Sequence, residues 1–175
     1  MSSAFRGSAA AGPLALLIRA VGWLDRLSYG TIVVVMALMA GLVALQVLYR
    51  YALQSSIDAA DELSRLFFVW SMFLAIPHGV KYGVHVGIDL FVRILQPRVQ
   101  DLICRIVNTA GMALMAIVFV VGYIATVDKW PELMPTLPVT AGLYYVAVLV
   151  SAGHTFFHLL ILTWGGPGVW EGERP

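Results

Sequence analysis

The side chains best equipped for chemistry in this sequence are four histidines and a group of charges crowded into one short stretch. His154 and His158 stand one helical turn apart, so both imidazoles fall on one helix face, and bis-histidine haem ligation is the chemistry to consider. They cannot sit at opposite axial positions of one haem, because both approach from the same side. A bis-histidine haem would have to pair one of them with His78 or His85, and a haem-bearing membrane anchor of an oxidoreductase is the alternative reading. The expected role of these histidines is contact with the membrane interface or with a partner. The second group is Arg50 with Asp61, Glu62 and Arg65, two cations and two carboxylates separated by a short connection. Charges near lipid need partners, so this group is a candidate docking surface, although such pairs also serve as simple helix caps.

Other chemistries are excluded or unsupported. Net charge is +1 with Lys and Arg scattered, which provides no footprint for nucleic acid. A single cysteine, Cys104, can form neither an internal disulfide nor a cysteine-based zinc site, and its apolar setting points to ordinary packing. No GxxxxGK[ST] loop is present to bind a nucleotide. No catalytic residue, metal-ligand set or cofactor is expected in the chain, and it is not read as an enzyme.

The elements that must carry these residues are membrane helices. Of the 175 residues, 60% are hydrophobic and 12% charged, more apolar surface than a water-soluble domain of this size can hide. Crossing a hydrocarbon core takes about 20 apolar residues at roughly 1.5 Å each. Residues 28–49, 106–127 and 142–164 meet that length without an Asp, Glu, Lys or Arg. Between Leu66 and Val80 only about 22 Å is covered, so the second span must borrow length from the polar residues before it and is placed at 59–80. Asp58 can cap it, Asp61 and Arg65 are one turn apart, and Pro77 is expected to bend it.

Two further segments are amphipathic and too polar to span. In 14–27, Leu14, Leu17, Ile18, Val21 and Leu24 share a face while Arg19 and Arg26 lie on another. In 86–96, Ile88, Phe91, Val92 and Leu95 oppose Asp89 and Arg93, and Pro97 ends the segment. Both are expected to rest in the interface as helices. The fold class is therefore an all-α membrane protein with four transmembrane helices plus amphipathic interfacial helices, in one domain. The first thirteen residues lack the apolar core of a signal peptide and are expected to be retained.

Orientation follows from the cationic side chains. Arg6, Arg19, Arg26, Lys81, Arg93, Arg98, Arg105 and Arg174 fall on one side; Arg50, Arg65 and Lys129 fall on the other. Both termini are thus expected in the cytoplasm, with Lys81, His85, Asp89 and Arg93 at the cytoplasmic face near head groups or a neighbouring subunit. The obvious coupling machinery of a transporter is missing: the three long spans hold no acid, and no interrupted helix pair marks an ion site. A small autonomous exporter would need an intramembrane carboxylate, and none is found in the first helix. Ala37 with Gly41 and Ala40 with Ala44 permit close helix approach. Most Trp and Tyr side chains fall near helix ends, whereas Trp70 lies inside the second span and could fill a site against a partner.

The runs Q-V-L-Y-R-Y from Gln46, D-E-L-S-R-L-F-F-V-W from Asp61 and K-Y-G-V-H-V-G-I-D-L from Lys81 resemble the small membrane subunit, DctQ-like, of tripartite ATP-independent periplasmic (TRAP) transporters. Arg50, Tyr51, Asp61, Glu62, Leu63, Arg65, Phe68, Val69, Trp70, Lys81, Gly83, His85, Gly87 and Asp89 fall on its pattern without a gap. Departures are Ala59 where the family has Trp, Asp61 in place of Glu, and no Pro ahead of Gly153. The resemblance implies a bacterial inner-membrane protein. Its partners would be a large multi-helix permease holding the sodium and substrate sites, a periplasmic binding protein that delivers an organic acid such as a dicarboxylate or sialic acid, and membrane lipids. The small subunit would be a scaffold in this symport, with Gln46, Arg50, Tyr51, Asp61, Glu62, Arg65 and Trp70 as candidate contacts to the partner subunit or binding protein.

Overall fold

The computed structural model describes residues 13–81 and 96–165. The expected interfacial helix at 86–96, with His85, Asp89 and Arg93, lies outside these residues. Four helices long and apolar enough to cross a membrane make up nearly all of the described chain. They are α1 (Pro13–Ala52), α2 (Asp58–Lys81), α3 (Pro97–Lys129) and α4 (Gly142–Gly165).

The first helix differs most from the sequence expectation. Residues 14–27 and 28–49 form no separate pieces but one unbroken helix of 40 residues. At 1.5 Å per residue it is roughly 60 Å long, about twice the thickness of a hydrocarbon core. The added turns are tied down by packing: Val21 is buried against Ile161, with Leu17, Ile18 and Leu162 around them. Its apolar face is therefore spent on α4 and not on lipid alone. Contrary to the sequence expectation, the first helix carries a carboxylate, Asp25, and it is buried.

The second helix gains its length as expected, from 58 to 65, with Asp58 and Asp61 in the first turn where the helix dipole favours anions. It runs on through Pro77, which is fully buried. Helix α3 starts on Pro97 directly after Gln96, using proline where its missing N–H costs nothing.

In space α1 lies along α2, α2 lies against α4, and α3 lies along α4, while α1 meets α4 over a shorter stretch. Helix α4 is thus the central element, with Ala147, Ala152, His154, Thr155, His158 and Ile161 among its buried side chains. The flanking helices keep long apolar faces uncovered, for instance Val33, Val34 and Leu48 on α1 and Ile117, Val120 and Ile124 on α3.

At the end where α2 begins, residues 130–141 fold back over the bundle through a bridge between Leu133 and Thr140. Met134 is buried beneath them. The turn into α4 is tight enough that a Cβ on Gly142 would lie 2.9 Å from the Trp130 ring. Glu62 anchors this segment by accepting bonds from the Thr136 backbone N–H, at 2.8 Å, and from the Thr136 hydroxyl. A charge-assisted bond of this kind is worth about 1.5–3 kcal/mol, so Glu62→Ala should raise hydrogen exchange at the Thr136 amide roughly tenfold or more. Unchanged protection in exchange mass spectrometry would show that the segment is held by other contacts.

A buried charge cluster that joins three helices

Asp25 sits in α1 one turn beyond Val21 and one turn before Ser28, on the face that turns inward. Its carboxylate meets side chains from two other helices. Lys81, the last residue of α2, donates from Nζ to Oδ2 at 2.8 Å. From α4, His154 Nε2 and His158 Nε2 both reach Oδ1, at 2.9 and 2.8 Å. All four are shielded, with Asp25 6%, Lys81 8%, His154 2% and His158 0% exposed.

An ionised carboxylate only accepts, so each imidazole presents an Nε2–H to Oδ1. The charges of Asp25 and Lys81 offset each other in the low-dielectric interior. His154 Nδ1 is buried with no hydrogen-bond partner. A second layer adjoins the first: the Ser28 hydroxyl donates to the Asp25 carbonyl oxygen at 3.0 Å and lies 2.7 Å from His78 Nε2, whose N–H it can accept. The His78 ring stands edge-on to Tyr29 and to His154, with centroids 6.4 and 6.1 Å apart.

Several sequence expectations change place here. Lys81, expected near head groups or a neighbouring subunit, is buried on Asp25. His154 and His158, expected at an interface, are spent on the same carboxylate. The Nε2 atoms of His154 and His158 are engaged by Asp25 and that of His78 by Ser28, so the haem reading finds no support among the described residues. Asp25 itself was missed by the sequence reading. Its signal was nonetheless present: it falls on the Ile18–Val21 face, where a charge is out of pattern, instead of on the Arg19–Arg26 face.

The residues at the opposite end are arranged differently from expectation. Arg50, Tyr51, Asp61 and Arg65 are exposed, Gln46, Glu62 and Trp70 half-buried. Among the described residues Arg50 and Arg65 make no ion pair with Asp61 or Glu62. The Glu62 carboxylate goes to Thr136, and its backbone carbonyl accepts from the Tyr144 hydroxyl at 3.4 Å.

An all-α, multi-pass membrane protein of four spans, with its buried charges paired to each other between helices, is the class that fold and cluster define. The chain belongs to the family of DctQ components of tripartite ATP-independent periplasmic transporters, whose pattern it matches over residues 39–166. Lys81, His154 and His158 lie inside the matched stretch and Asp25 ahead of it. Over 89% of this chain it is 27% identical to the isethionate TRAP transporter permease protein DctMQ of Oleidesulfovibrio alaskensis. It spans only 26% of that longer protein. Two Haemophilus influenzae proteins named as TRAP transporter small permease proteins are 26% and 23% identical, over 67% and 82% of this chain and 73% and 87% of their own lengths.

Removing one partner of a buried ion pair strands the other, at a cost of about 3–5 kcal/mol. Asp25→Ala should therefore lower the thermal stability of the detergent-solubilised chain sharply, whereas exposed Asp61→Ala should stay within about 0.5 kcal/mol. Equal melting of the two variants would mean that the cluster contributes nothing to the bundle.

Proposed function

We propose that this chain is the static scaffold of a sodium-driven transporter for an organic acid, holding a large permease subunit in the inner membrane with both of its own termini in the cytoplasm. The observation that carries this reading is the disposal of charge. Asp25, the one acid buried among the described residues, is enclosed by Lys81 and two histidines and offers a cargo anion no open cation. The uncovered apolar flanks of α1 and α3 suit contact with other membrane helices and with lipid.

Membership of the DctQ family implies a large permease and a binding protein as partners, and the DctMQ relative, nearly four times the matched length, supports joining the two membrane parts in one body. The eight-to-three distribution of cationic side chains supports the orientation. It also places the Asp25 cluster toward the cytoplasm and the Glu62–Thr136 end toward the periplasm, where exposed Arg50, Tyr51, Asp61 and Arg65 are available to the binding protein or the permease. Sodium and substrate are bound by the large subunit, and selection of the acid, a carboxylate or a sulfonate as in the isethionate relative, rests with the partner chains.

Proteoliposomes holding the large subunit and supplied with binding protein should take up substrate under a sodium gradient only when this chain is present. Undiminished uptake without it would overturn the scaffold reading, and solute flux through vesicles holding this chain alone would replace it with a carrier.

A further inference from the structure

The Asp25 cluster has the make-up of a metal site as well as of an ion pair. Asp25, His154 and His158 each bring one donor atom, all within 4.8 Å of one another. The two histidines stand four residues apart on one helix face, the spacing by which a helix presents two imidazoles to one ion. Two nitrogens and one carboxylate oxygen form a donor set suited to zinc and related borderline divalent ions. With such an ion about 2.0–2.1 Å from each ligand, tetrahedral geometry asks for donor separations of roughly 3.3 Å. The Asp25–His separations of 2.9 and 2.8 Å are slightly closer than this, so a small opening of the triad makes room.

Two features decide what loading requires. Each imidazole must offer an Nε2 lone pair, which a neutral histidine does by moving its proton to Nδ1, with no loss of charge. Lys81 already supplies a positive charge to Oδ2. A dication and an ammonium cannot both rest on one buried carboxylate, so they compete. Lys81 is the terminal residue of α2, and its four-carbon stem can carry the ammonium toward the interface. A metal-bound hydroxide would then restore the neutrality that Lys81 provides at rest.

We propose that Asp25, His154 and His158 form a binding site for one divalent transition-metal ion of the zinc class, with Lys81 as the tethered cation that the metal displaces. Loading exchanges the tie of Asp25 to α2 and α4 for one to α4 alone, while the His78–Ser28 contact still joins the end of α2 to α1. This site is independent of the scaffold reading, because metal binding is read on the purified chain and transport is not.

The test is titration of the full-length chain in detergent with cobalt(II), followed by its visible absorption, and with zinc against a chromophoric chelator. Wild type should bind one equivalent, and X-ray absorption of the zinc-loaded protein should count two imidazoles. Asp25→Asn and His158→Gln should lose the site, while Glu132→Gln, at the other end of the bundle, keeps it. Lys81→Met should bind about tenfold more tightly or better, the scale on which neighbouring groups tune metal sites. Circular dichroism checks that each variant keeps its helices, and the imidazole count on wild type stands even where a variant fails to fold. Failure of wild type to bind, binding that survives Asp25→Asn in a folded chain, or binding by Lys81→Met alone would overturn the proposal. The last result would make Lys81 a permanent occupant.

Discussion

A carboxylate buried between membrane helices is the constraint from which the rest of this structure follows. Left alone in a low-dielectric medium, Asp25 would cost several kcal/mol, and only good geometry with several donors offsets that. The fold supplies one donor from α2 and two from α4, which fixes the axial positions of three helices against one another. Hydrophobic burial cannot do this in lipid, where the surroundings are as apolar as the helix surface. A directional polar contact can, because sliding one helix by a turn would leave an ion without its partner.

The length of α1 belongs to the same logic. Arg19, Asp25 and Arg26 interrupt the apolar sequence and would ordinarily end a membrane span. Here the helix continues because Asp25 is paired inside while Arg19 and Arg26 point outward, and because Val21 packs on Ile161 beyond the cluster. The opposite end is held in another way, by the Thr136 segment folded onto Glu62. Helix α3 is held by its packing along α4, and α1 and α3 are left with broad apolar flanks for neighbours.

Much of this was legible in the residues. Apolar length alone placed three spans, and the borrowed polar start of α2 followed from its being too short otherwise. The family emerged from motifs at Arg50, Asp61, Glu62 and Lys81 and was matched over residues 39–166. What sequence could not reveal is non-local. Asp25 meets partners 56, 129 and 133 residues away, and no periodicity within one helix reports such a meeting. In an interfacial helix over 14–27 Asp25 would be solvated among head groups and need no partner, whereas in the unbroken α1 it is buried in the bundle. At the other end, adjacency in sequence grouped Glu62 with Arg50, Asp61 and Arg65, whereas a segment 74 residues away supplies its partner Thr136.

The Asp25–Lys81 contact is an energetic tie between α1 and α2 and not merely two neighbouring charges. A double-mutant cycle in lipid-like detergent, with Asp25→Asn, Lys81→Met and the pair together, measures that tie directly. A coupling energy above about 1 kcal/mol is predicted, within the range found for residues in one polar network. Stability losses that simply add, with a coupling indistinguishable from zero, would contradict it.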